Sequence, residues 1–136
     1  MLLLFVLLPC TMAETVQVNT EYGPLRGFTY RDPSGIEANV FLGVPYAKAP
    51  VGQLRFELKR MNFQKPIPPD PWTEPLECTK MGPSCVSMQK GDVWRPGGSE
   101  DCLFLNIIAP RKNETNVLLP VLVHTHGGGY EIGNAL

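Results

Sequence analysis

Proline interrupts this chain at fourteen positions and glycine at thirteen more. Proline lacks a backbone N–H and clashes with the preceding helical turn, and glycine loses the most conformational freedom on ordering. Long regular helices are therefore excluded, and an all-helical bundle with them. Short strands joined by turns remain. With 136 residues the chain has room for one domain. Twelve Lys and Arg face thirteen Asp and Glu, a formal net charge of −1, which provides no broad field for nucleic acid or an anionic membrane.

The chain starts with an apolar run from Leu2 to Pro9 and then Thr11-Met12-Ala13, with small residues where a signal peptidase reads. Although no basic residue precedes the run, residues 1–13 are expected to be a cleavable secretory signal and residues 14–136 the product. The run is too short to span a bilayer, no other stretch reaches transmembrane length, and no C-terminal anchor is visible. The expected location is extracellular or the secretory lumen.

Cysteine usage agrees with an oxidising compartment. Cys10 leaves with the signal, and Cys78, Cys85 and Cys102 remain. Three cysteines allow one disulfide with a leftover thiol, or a partner outside the chain. Cys78 and Cys85 lack the Cys-x-x-Cys spacing of a zinc site, so no metal is expected.

Strand signals are plain in several places. Thr15 to Asn19 and Leu25 to Tyr30 flank Glu21-Tyr22-Gly23-Pro24 and read as a β-hairpin. Val40 to Val44 reads as a short strand whose Gly43 marks a bulge or a close backbone approach. Met61 to Trp72, with Pro66, Pro68, Pro69 and Pro71, reads as an extended surface segment. Leu103 to Ala109 and Leu119 to Thr125 are apolar on both faces, as central strands are. The polar turn between them contains the sequon Asn113-Glu114-Thr115, an expected glycosylation site. Only Tyr130 to Leu136 follow the glycine-rich segment, too little to present it, so the chain reads as truncated.

That segment, His126-Gly127-Gly128-Gly129-Tyr130, lies at the end of an apolar run. Three glycines let bare backbone N–H groups converge on one point, which suits an oxyanion. A dinucleotide-binding fingerprint through Gly127, Gly129 and Gly133 is the weaker reading, because no acidic ribose ligand and no Gly-Lys-Ser/Thr phosphate loop accompany it. His124 and His126 share one face of the expected strand, but no third ligand stands near them.

Taken in order, the motifs resemble the N-terminal part of a type-B carboxylesterase, the α/β-hydrolase family that includes cholinesterases and insect and nematode esterases. The carriers are Gly23-Pro24-Leu25-Arg26-Gly27, Phe41 to Ala47 with Pro50-Val51-Gly52 and Leu54-Arg55-Phe56, Ser99 to Asn106 around Cys102, and His126 to Tyr130. The resemblance implies an α/β fold of which this portion is mostly strands and loops. It implies that Gly128 and Gly129 give backbone N–H groups to an oxyanion, with His126 and Gly127 supporting the loop. The Cys85–Cys102 pairing, a bridge fastening the loop that holds Trp94, is implied by the same resemblance. Cys78 is left over, as a buried thiol or as a pairing partner. His124 and Thr125 depart from the large aromatic and the aliphatic more usual in the family.

A serine nucleophile in Gly-x-Ser-x-Gly, an acid and a His complete such a site, and this chain has none of them. Gly82 to Val86 and Gly97 to Asp101 begin the pattern and fail at its last glycine, so Ser84 and Ser99 are expected to be inert. Glu100 and Asp101 are adjacent and make a poor acid/base pair; an ion pair of this acidic couple with Arg55 is the structural alternative. The expectation is an inactive segment of a secreted carboxylic ester hydrolase that acts on small-molecule esters without a cofactor. A non-catalytic adhesion or binding protein of the same fold is the second reading. Expressed alone, residues 14–136 are expected to form the bridge and to self-associate through uncovered strands.

Overall fold

The computed structural model describes residues 14–52, 54, 65–86, 88–89, 93–94, 98–111, 118–129 and 133–134. The expected signal at 1–13, Arg55, Phe56, the sequon residue Asn113 and Tyr130 lie outside the described residues.

Strand β1 (Thr15–Asn19) and strand β2 (Pro24–Arg31) form the expected antiparallel hairpin, in register from Thr15 opposite Phe28 to Asn19 opposite Pro24. Its turn is closed by Thr20, whose hydroxyl donates to Gly23 O at 2.7 Å. Strand β3 (Glu37–Pro45) returns antiparallel to β2 through a turn built on Asp32. The Asp32 carboxylate accepts the Ser34 hydroxyl at 2.7 Å and the Ile36 N–H at 2.8 Å. Those two bonds, Ser34 first, hold its pKa below the usual aspartate value.

Strands β2 and β3 pair only between Phe28–Arg31 and Glu37–Val40. Beyond Val40 they diverge, and a later segment fills the fork. Strand β4 (Leu76–Glu77) runs parallel to β2, with Leu76 beside Leu25. One residue further, Cys78 donates its N–H to Arg26 O at 2.7 Å and accepts the Leu42 N–H at 2.8 Å. One peptide segment thus satisfies the inner edges of both strands, which would otherwise leave buried polar groups unpaired.

Two short strands, β5 (Met88–Gln89) and β6 (Val93–Trp94), pair antiparallel as a separate ribbon. Strand β7 (Phe104–Pro110) closes the described sheet, antiparallel to β3 in the order β1-β2-β3-β7. Between the pairs Phe41–Ile107 and Val44–Leu105, β3 has one residue more than β7. Gly43 sits in this bulge with φ +66°. A Cβ there would lie 2.7 Å from Lys80 O and 2.9 Å from Gly82 N. Both readings made of Gly43 from sequence, bulge and close approach, hold at once.

The core is small: Leu25, Phe41, Val44 and Cys78, with Val16, Trp72 and Leu76 packed around them. Of the proline-rich stretch expected at the surface, residues 61–64 lie outside the described residues, 65–68, 70 and 71 are exposed as expected, and Pro69 is buried while Trp72 packs against the core. Proline keeps residues 65–71 extended, and the indole then reaches the core. Leu119 to Thr125 also differ from expectation. Residues 118–127 adopt no strand, and Leu118, Val121, Leu122 and Val123 are 95%, 87%, 95% and 82% exposed. A strand exists only through its ladder, and among the described residues none pairs with this segment. The apolar outer residues of β7 are open for the same reason, with Ile108 72% exposed at the sheet edge.

Candidate functional site: the glycine loop

The segment 118–125 delivers the chain to the glycines, which take up conformations that other residues rarely adopt. Gly128 has φ +141° and Gly129 φ +63°, where a side chain would clash with its own backbone. No atom of the described chain lies within 4 Å of where a Cβ would stand at Gly127 or Gly129. Crowding therefore does not demand glycine at these two positions. At Gly129 the need is conformational, whereas Gly127 has no positive φ, and no described atom stands in the space before either position.

His126 folds back onto this loop, with Nδ1 2.8 Å from Gly127 O. A carbonyl oxygen only accepts, so this contact is a hydrogen bond in the tautomer whose Nδ1 carries the proton. That carbonyl belongs to the peptide group whose nitrogen is the Gly128 N–H. Gly133, with φ +121°, lies against the same contact: a Cβ there would overlap His126 Nδ1 and come within 2.7 Å of both Gly127 O and His126 Cε1. From the sequence alone Gly133 stands out only as the last glycine of a dinucleotide fingerprint. Its spacing from His126 is a signal only once the loop is known to fold back. His124 and His126 do not share a strand face, because residues 124–126 are not in a strand.

The remaining candidates lie elsewhere. Cys85 and Cys102 form the disulfide, with Cα atoms 4.9 Å apart, and tie the residues before β7 to the segment leading into β5. Ser84 and Ser99 flank it, the Ser99 N–H donating to Ser84 O at 2.8 Å. Ser99 Oγ accepts the Asp101 N–H at 3.1 Å, so this hydroxyl shapes a turn. Cys78 is a free, fully buried thiol, and burial pushes its pKa up, with Glu77 adding to the effect. The described residues contain no group of three or more His, Cys, Asp or Glu that could hold a metal ion, and no helix long and apolar enough to cross a membrane.

The chain as a whole has known relatives. The model of the carboxylesterase family matches residues 14–136, and the chain belongs to that family. Gut esterase 1 of Caenorhabditis elegans is 43% identical over 119 residues, which cover 87% of this chain and 18% of that protein. Esterase B1 of Culex pipiens is 37% identical over 122 residues, covering 90% and 21%. Among solved structures, juvenile hormone esterase from Manduca sexta, with OTFP covalently attached, superposes with a TM-score of 0.71 at 39% identity, over 88% of this chain and 22% of that one. The neighbours are α/β-hydrolase esterases, and the described part of this chain is their strand-dominated antiparallel portion. The chain spans about a fifth of the length of the relatives it matches.

Proposed function

We propose that this chain is the oxyanion-binding N-terminal part of a secreted carboxylic ester hydrolase. A serine hydroxyl supplied by further polypeptide attacks the ester carbonyl carbon while its proton passes to the catalytic His, and the C=O π electrons move onto oxygen. The Gly128 and Gly129 N–H groups then donate to that oxyanion, with a third donor following the nucleophile. The observation that carries the reading is the pair of positive φ angles at Gly128 and Gly129, with no described atom within 4 Å of where a Cβ would stand at Gly129. Donors fixed before charge develops need no reorganisation during the reaction, and each is worth about 10²- to 10³-fold in kcat.

The substrate is a small-molecule carboxylic ester, and no cofactor enters this chemistry. Export rests on residues 1–13, glycosylation on the sequon at Asn113, and both agree with a disulfide-containing product. Without nucleophile, acid or catalytic His, residues 14–136 alone bind no acyl group.

A chromogenic activated ester tests this. Residues 14–136 should release no stoichiometric burst, whereas a polypeptide continuing past Leu136 should carry Gly-x-Ser-x-Gly and be acylated. A burst from the short chain, or another residue in the serine place, overturns the proposal and in the latter case favours an adhesion protein.

A further inference from the structure

We infer that Gly133 is a positioning residue for the oxyanion loop, acting through the His126 imidazole on the peptide group that carries the Gly128 N–H; this rests on the oxyanion reading above. The contact has no room for a side chain. A Cβ at Gly133 would meet the imidazole Nδ1, its neighbour Cε1 and the Gly127 oxygen, which are the two ends of one hydrogen bond and an atom beside it. Any substitution therefore displaces His126 from Gly127 O. The φ of +121° at Gly133 is a second reason for glycine, separate from the contact.

The Nδ1–H···O=C bond does two things to the loop. Geometrically, it fixes the plane of the Gly127–Gly128 peptide, which neither glycine can fix by itself because both lack a side chain. Electronically, a donor on the carbonyl oxygen polarises the amide and makes its N–H a stronger donor. The line runs from Gly133 through His126 and Gly127 O to the Gly128 N–H, and only its last member touches substrate. His126 and Gly133 are held by each other's shape, so their effects are not independent.

The test uses the full-length polypeptide that carries these residues, as Gly133→Ala, His126→Ala and the double variant, with p-nitrophenyl butyrate and with the histidine ring nitrogens ¹⁵N-labelled. Gly133→Ala should lower kcat about 10- to 100-fold, the scale of a small misplacement at a reacting centre, while KM stays within about twofold and active-site titration counts the folded fraction. In the His126→Ala background the same substitution should cost clearly less, since the imidazole contact is gone and only the φ strain and the approach to the Gly127 oxygen remain. The His126 Nδ1 signal should be that of a protonated nitrogen in the parent and should change in Gly133→Ala. Equal costs in both backgrounds, a parent His126 protonated only at Nε2, or a ring signal indifferent to Gly133→Ala overturns the inference. If the parent hydrolyses no ester, the oxyanion reading fails by itself, and the ring signals still decide whether Gly133 holds His126.

Discussion

Trp72 donates its indole N–H to the carbonyl of Pro24 at 2.8 Å, and its own backbone N–H reaches Tyr22 O at 2.8 Å. Two bonds thus dock the end of the proline-rich stretch onto the first hairpin turn. The indole lies so close to Gly23 that a Cβ there would stand 2.5 Å from its Cδ1. Trp72→Phe keeps most of the packing and leaves the Pro24 carbonyl without this donor. We expect a loss of about 1 kcal/mol, read as a lower urea midpoint by circular dichroism on dilute protein; an unchanged midpoint contradicts the docking role.

Gly43→Ala is expected to be more damaging than its size suggests. The φ of +66° is strained for alanine, and the nearest obstacles are backbone atoms of residues 80 and 82, which cannot swing away. About 2 to 4 kcal/mol is the combined scale of strain and overpacking. The Gly43 N–H also donates to Asn106 Oδ1 at 3.0 Å, so hydrogen exchange at residue 43 should accelerate in the same variant. Unaltered exchange there argues against the bulge as a fixed feature.

The bridge between Cys85 and Cys102 closes a loop of 17 residues of sequence separation. In the chain-entropy description such a loop is worth about 3 kcal/mol. Peptide mapping without reductant should return a Cys85–Cys102 peptide with Cys78 alkylated only after denaturation. A Cys78–Cys102 peptide contradicts the pairing.

Cys78 should also make the fold sensitive to alkali. Burial raises its pKa in the folded chain above the ordinary value of 9.0, so on raising the pH the unfolded chain loses this proton first. Stability from this group is complete below pH 9 and declines as the pH rises beyond it. Cys78→Ala removes that slope, at some cost in packing. A parent and variant with parallel pH profiles above 9 would show that the thiol is not the titrating group.

Apolar residues 118 and 121–123 are open to solvent, so residues 14–136 expressed alone should self-associate. Val121→Lys with Leu122→Lys should move the size-exclusion peak toward monomer. A sharp monomer peak from the parent, with cooperative thermal unfolding, contradicts the expectation.

Local patterns were the most legible part of the fold. The hairpin through Gly23, the strand around Gly43 and the strand beginning near Leu103 announce themselves through alternation and turn residues, and each stands where its sequence places it. Leu119 to Thr125 carry an equally clear pattern without becoming a strand, because composition describes a residue's preference and not the neighbour that would satisfy it. Leu76 and Glu77 fail in the other direction. A two-residue strand has no period to detect, and its place is fixed by the unpaired edges of strands far earlier in the chain, as the sequence separation of 51 between Arg26 and its ion-pair partner Glu77 illustrates. At the candidate site, the positive φ of Gly128 and Gly129 is a local property that a run of glycines signals, whereas the contact of Gly133 with His126 depends on a fold-back that no spacing rule encodes.

The fork filled by Cys78 also imposes an order of events. Phe28–Arg31 can zip to Glu37–Val40 as soon as the turn at Asp32 forms, since the contact is local in the chain. The other ends of those strands must stay apart until residues 76–79 arrive, because the same backbone groups of Arg26 and Leu42 are completed by Cys78. During synthesis, the sheet is therefore a half-closed zipper until residues 76–79 emerge, and it is completed by the insertion of a strand between two others rather than by the addition of one at an edge.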